Sequence, residues 1–158
     1  MIDDVSHQII NHTIPKTIDQ SREEGYSDAL SKTIIDNLQD PPGSVKTLIA
    51  MPAYNEAARI ADVITGAKQF ADIILVVDDG SVDDTVSIAT GLGAMVIRHE
   101  ENRGYGGALR TIFSTARCLG AEELVILDSD GQHDCRDISR LLDELREGSD
   151  VVIGSRFN

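Results

Sequence analysis

The 158-residue chain is 41% apolar and 26% charged, a balance that supports one packed domain of ordinary size and excludes wholesale disorder. Its 27 acidic residues outnumber 14 basic ones for a formal net charge of −13, so its surface repels nucleic-acid backbones and offers no unaided adhesion to anionic lipid. No apolar run approaches the ~18 residues of a membrane span, the opening MIDDVSHQII lacks a secretory pattern, and Cys118 and Cys135 stand outside any Cys-x-x-Cys motif, which excludes a disulfide framework and makes structural zinc a poor reading.

Residues 1–44 read as a polar N-terminal extension. Residues 1–26 show no periodicity and predict a loosely ordered leader. Leu30, Ile34 and Leu38 recur every four residues behind Ser27, which predicts a short helix over 27–39. Asp40-Pro41-Pro42-Gly43 ends it and marks a boundary.

From residue 45 to 158 the pattern is regular. Val45–Met51 is strand-like. Ile60, Val63, Ile64 and Ala67 then fall on one helical face. Ile73–Val77 is an aliphatic run, and Val82, Val86 and Ala89 predict a shorter helix stopped at Gly91 and Gly93. Ala94–Ile97 predicts a third strand. Leu109, Ile112, Phe113 and Ala116 predict a helix beginning near Ala108, which leaves Cys118 in the core. Leu124–Leu127 is the fourth strand. Ile138, Leu141, Leu142 and Leu145 make the last helix, and Val151–Ile153 the fifth strand.

Short strands without polar alternation are buried on both faces, which requires a mostly parallel sheet covered by helices on both sides. Such sheets bind ligands beyond the carboxyl ends of their strands, so the residues just after each strand carry the chemistry. After strand one come Pro52, Ala53, Tyr54, Asn55 and Glu56; Asn55 suits a helix cap, and the exposed tyrosine and acid suit a flat heterocycle and its polar edge. After strand two come Asp78 and Asp79, which repel unless each has its own partner. One of the pair could accept from a base or ribose, or both could be turn residues, with Ser81 or Asp83 as a cap.

After strand three, Gly104-Tyr105-Gly106-Gly107 opens a helix whose N–H groups could approach phosphate. Leu109 stands where the dinucleotide fingerprint needs its last glycine, so NAD is a poor reading. After strand four come Asp128, Asp130 and Gln132, hard oxygen ligands that suit Mg²⁺ or Mn²⁺ with a diphosphate. His133 reads as a solvent-facing turn residue, and His99 has no visible constellation. Arg156, after strand five, suits bidentate capture of a phosphate.

Taken in order, MPAYNE, VVDDGSVDDT, ENRGYGGALR, LDSDGQHD and GSRF resemble the motifs of family 2 glycosyltransferases of the GT-A fold, and among them the dolichyl- or polyprenyl-phosphate hexosyltransferases. The resemblance covers roughly residues 46–157 and implies a Rossmann-like nucleotide-sugar-binding domain. It implies that Pro52, Ala53, Tyr54, Glu56, Asp78, Asp79 and Gly104 hold the nucleotide of a UDP- or GDP-sugar. It further implies that Asp128, Asp130 and Gln132 hold the metal, with Asp128 and Asp130 central to catalysis, and that the hexose is transferred with inversion to a lipid phosphate.

In that family the domain continues past GSRF, so the resemblance also implies a C-terminally incomplete sheet. The open edge that follows offers a route to a homo-oligomer. With no membrane-spanning run, the expected place is the cytoplasm or the cytoplasmic face of a membrane. Two other readings compete. A nucleotide-sugar-binding fragment or subunit would bind without transfer. A haloacid-dehalogenase-like phosphatase would use Asp128 as nucleophile and Asp130 as acid/base, but its motif normally opens the fold and has threonine or valine where Gln132 stands.

Overall fold

The mostly apolar run that follows residue 44 becomes an interior strand of the sheet. The computed structural model describes residues 9–12 and 45–154. Strand β1 is Ile9–His12, and β2, Thr47–Ala53, is buried along all its length except for a half-buried Pro52. On one side β2 pairs in parallel with β3 (Ile73–Asp78), which pairs in parallel with β4 (Met95–Arg98). On its other side β2 pairs in parallel with β5 (Glu123–Ile126). With β6 (Val151–Gly154) the sheet order is β4-β3-β2-β5-β1-β6.

Helices cover both faces, as burial of both sides of these strands demands. On one face α1 (Ile60–Ala67) and α4 (Asp137–Arg146) pack Ile60, Ile64, Ile138 and Leu142 onto Ile49, Met51, Val76 and Val125. Ala89 of α2 (Thr85–Gly91) joins the same cluster. On the other face α3 (Gly104–Cys118) packs Ala108, Ile112 and Ala116 onto Leu48, Ala50, Leu75 and Val77. At the amino end of the strands, Arg146 donates two bonds of 2.7 and 2.8 Å to Glu123, which also accepts from the Thr47 hydroxyl at 2.7 Å. Burial favours the neutral form of Glu123, but Arg146 and Thr47 outweigh it and hold its pKa below the usual value. This tie lies at the opposite end of the sheet from the carboxyl-end loops.

The elements depart from the sequence expectations in several places. Residues 1–26 include a strand, β1, which runs antiparallel between β5 and β6; four residues are too few to show a period. Helix α2 starts at Thr85, and Val82 is 87% exposed, because the residues before Thr85 are spent on bonds to a neighbouring loop. Helix α3 starts at Gly104, and its buried stripe includes Thr111 and Thr115, leaving Phe113 outward. Those threonines can be buried because their hydroxyls return to the helix, as Thr115 does to the Thr111 carbonyl at 2.7 Å. The rotated stripe also leaves Cys118 exposed rather than in the core. The expected helix over 27–39 and Arg156 lie outside the described residues.

Candidate functional site

The carboxyl ends of β2, β3 and β5 and the first turn of α3 enclose an open cleft of about 320 Å³. From the loop after β2 come Pro52, Ala53, Tyr54 and Glu56. Asp79 comes from the end of β3, and Asp128, Ser129 and Asp130 from the end of β5. Asn102, Gly104, Tyr105 and Ala108 complete the wall. The structure thus brings together most of the residues singled out from the sequence. Asp78 and Gln132 are not in the lining.

The loop after β2 is built by its neighbour. Asn55 has φ of 57°, a left-handed conformation that asparagine tolerates better than most residues. Its N–H donates to the Ser81 Oγ at 2.8 Å, and its side-chain carbonyl accepts from the Val82 N–H at 2.9 Å. The Glu56 N–H donates to the Thr85 Oγ1 at 2.8 Å, and the Ala57 N–H to Asp83 at 3.1 Å. Thr85 in turn donates its hydroxyl to Asp83 at 2.5 Å. Asn55 therefore fastens two loops together instead of capping α1, and Ser81, Asp83 and Thr85 are the other half of that fastening.

The adjacent carboxylates Asp78 and Asp79 separate completely. Asp78 is fully buried, accepts from the Ser81 N–H at 3.1 Å and lies 3.4 Å from the Arg98 guanidinium. Gly80, with φ of 82°, makes the turn that follows; a Cβ there would stand 3.3 Å from the Asn102 nitrogen. Asp79 turns to the cleft. Its Oδ1 accepts from the Arg103 N–H at 2.8 Å and lies 2.6 Å from His99 Nδ1. Burial opposes ionisation of Asp79, but the bonds from Arg103, His99 and the Gly104 N–H prevail and hold its pKa below the usual value.

At the end of β5, the Ser129 hydroxyl donates to the Pro52 carbonyl at 2.8 Å and fixes this loop against the first. Asp130 accepts from the Gln132 N–H at 2.9 Å, closing the turn through Gly131. His133 is not solvent-facing: its side chain is 4% exposed and its Nε2 lies 3.3 Å from Asp128. Beyond it, the Arg136 guanidinium holds the Asp134 pKa down to about 2.

The cleft concentrates negative charge. Burial raises the pKa of Glu56, and Asp130, Asp83 and Asp128 raise it further against the opposing pull of Arg59. Burial likewise raises the Tyr105 phenol, with Asp128 adding to it. A divalent cation relieves such crowding, and carboxylate oxygens are the donors that Mg²⁺ and Mn²⁺ take. The donor chemistry therefore fits, although among the described residues no three His, Cys, Asp or Glu side chains form a ready-made cage. Sequence reasoning missed His99 and Tyr105; His99 stands just past β4, where the strand-end rule already pointed, and Tyr105 lies in the first turn of α3.

Residues 48–158 match the family model described as glycosyl transferase family 2. The chain belongs to this family. It is 34% identical over 128 residues to a UDP-N-acetylglucosamine–dolichyl-phosphate N-acetylglucosaminyltransferase of Methanococcus voltae, covering 69% of this chain and 51% of that protein. It is 36% identical over 121 residues to a polyprenol monophosphomannose synthase of Mycolicibacterium smegmatis, covering 71% and 45%.

Among solved structures, it resembles glucosyl-3-phosphoglycerate synthase of Mycobacterium tuberculosis in complex with Mn²⁺, UDP-glucose and phosphoglyceric acid. That match has a TM-score of 0.56 at 28% identity and covers 66% of this chain and 41% of the synthase. The chain thus spans about half the length of these curated relatives. The α/β architecture, a mostly parallel sheet with helices on both faces, agrees with the GT-A resemblance.

Proposed function

We propose that the cleft binds a nucleoside-diphosphate hexose, UDP- or GDP-linked, and that residues 45–158 act as the donor-binding domain of an inverting, divalent-metal-dependent glycosyltransferase with a dolichyl or polyprenyl phosphate as acceptor. One observation carries the reading: a single cleft holds Asp79, an ionised acceptor fixed in place, and the Asp128–Asp130 pair. An ionised carboxylate is an acceptor only, so Asp79 reads an N–H on the base. Pro52, Ala53 and Tyr54 give the base an apolar and aromatic wall, and Gly104 lets the backbone approach closely. Asp78 stands in register with Ala53 of this wall across the sheet.

Asp128, Asp130 and Gln132 would hold Mg²⁺ or Mn²⁺, directly or through water, and the ion would supply neutralisation of the charge gathering on the departing diphosphate. A lipid phosphate is already ionised at neutral pH, so its oxygen attacks the anomeric carbon with no general base to supply. The new glycosidic bond forms as the bond to the diphosphate breaks, and the nucleoside diphosphate leaves with the electron pair. Arg156 is the candidate to hold the acceptor phosphate. The relatives named for dolichyl- and polyprenyl-linked sugars support the acceptor, and the UDP-glucose and Mn²⁺ of the solved synthase support the donor and metal.

No helix among the described residues is long and apolar enough to cross a membrane. Work at the cytoplasmic face, with β6 at the sheet edge available for self-association, is part of this proposal. With the family shown, the phosphatase reading of Asp128 and Asp130 falls away.

Transfer is tested with UDP-glucose, UDP-N-acetylglucosamine and GDP-mannose, each with a polyprenyl phosphate and Mn²⁺. A hexosyl phospholipid formed from one donor, and lost in Asp130→Ala, is the expected product. Nucleotide binding with no transfer from any donor would reduce the function to that of a binding module.

A further inference from the structure

A buried imidazole in contact with the cleft residue Asp79 has no part in the reading above. His99, just past β4, is 4% exposed. Its Nδ1 lies 2.6 Å from Asp79 Oδ1, and its Nε2 lies 2.9 Å from the Thr111 Oγ1 on α3. Its own N–H donates to the Asp78 carbonyl at 2.8 Å. Both ring nitrogens and the backbone are therefore engaged, and the ring cannot turn without breaking a buried bond. We propose that His99 is a positioning residue that aims the Asp79 carboxylate at the base of the bound nucleotide. This rests on the nucleotide reading of the cleft.

Asp79 already accepts the Arg103 N–H, so it needs no imidazole merely to be satisfied. What the second donor adds is direction. Two donors on one oxygen, one from the loop entering α3 and one from the end of β4, fix the plane of the carboxylate. A preset plane spares the ligand the work of ordering it. Through Thr111 the same ring is tied to α3, whose Gly104 and Tyr105 line the cleft. The base-reading group and the helix turn beside it are thereby held as one piece.

Three variants separate aiming from packing. The side-chain amide of His99→Asn stands near the Nδ1 position and can still donate to Asp79. That of His99→Gln reaches toward Thr111 instead, and His99→Phe serves neither. Calorimetric titration in Mn²⁺ uses UDP, GDP and, for whichever binds, the analogue methylated on the ring nitrogen that carries the base's N–H.

The expected result is that affinity falls about tenfold in Phe and Gln and no more than about threefold in Asn. The loss is confined to the unmethylated nucleotide, so that the methylated analogue binds wild type and Phe alike. Equal loss for both ligands, or a Gln variant that outperforms Asn, assigns His99 a packing role and overturns the proposal. So does wild-type protein that binds the methylated and unmethylated nucleotides equally, which leaves the cleft a nucleotide site that Asp79 does not read. If Phe fails to fold, the Asn and Gln pair still decides. Wild type that binds neither UDP nor GDP sinks the nucleotide reading itself, and the proposal with it.

Discussion

Asp78 and Asp79 are chemically identical neighbours, and their partners alone decide which one meets a ligand. Asp78 is drawn inward by the Ser81 N–H and Arg98, while Asp79 is held at the cleft by Arg103 and His99. The sequence shows the pair but not the split, because the partners lie up to 24 residues away in the chain. Glu56 carries a second residue-scale consequence. Its pKa is raised above the ordinary 4.5 by burial and by the carboxylates of Asp130, Asp83 and Asp128.

A raised carboxyl pKa means that the folded state binds the proton more tightly than the unfolded one. The penalty is therefore absent below 4.5, grows through the window up to the raised value, and is complete above it. Glu56→Gln should raise the melting temperature at pH 7, with the gain vanishing as pH falls below 4.5. Mn²⁺ should narrow the difference at pH 7 by stabilising the charged form. A melting series in pH and metal checks all three statements.

At the scale of elements, the helical faces of α1 and α4 were legible because every apolar residue at the expected spacing is buried. Helix α3 was legible as a helix but not in its rotation, since Thr111 and Thr115 are polar by letter and buried by virtue of their bonds to the helix backbone. The start of α2 was misplaced for a related reason. The stretch from Ser81 to Thr85 reads as a helix opening, yet its side chains accept the backbone N–H groups of residues 55–57.

Thr85 is the centre of that fastening and is fully buried. Thr85→Val keeps the shape but strands the Glu56 N–H, and a stranded buried donor costs about 1–3 kcal/mol. The expected outcome is a melting temperature lower by several degrees and weaker nucleotide binding through a loosened Glu56 loop. Thermal melts with calorimetry detect both, and Thr85→Ser, which keeps the hydroxyl, should restore most of the loss.

At the scale of the whole molecule, the parallel strands follow from their apolar runs, and their carboxyl ends gather the cleft as that topology requires. What could not be read was β1. Its place between β5 and β6 is a long-range pairing that four residues of sequence do not announce. Among the described residues β6 pairs with β1 alone, so the backbone of β1 joins the last strand to the sheet. Ile10→Pro removes an N–H and sets a ring into a strand paired on both sides. It should lower stability by about 1–3 kcal/mol and raise the exchange rate of amides in β6, measured by denaturant titration and hydrogen exchange. Unchanged exchange in β6 would mean that β1 does not hold it.

The central claim is that the cleft at the ends of β2, β3 and β5 is a metal-assisted nucleotide site. The most direct test is calorimetric titration of the wild-type chain and Asp130→Ala with UDP and with GDP, each with and without Mn²⁺. The account predicts that one of the two nucleotides binds, that Mn²⁺ tightens its binding by tenfold or more, and that Asp130→Ala removes the metal's contribution while leaving the weak metal-free binding in place. Binding indifferent to Mn²⁺ and to Asp130, or no binding of either nucleotide, would contradict it.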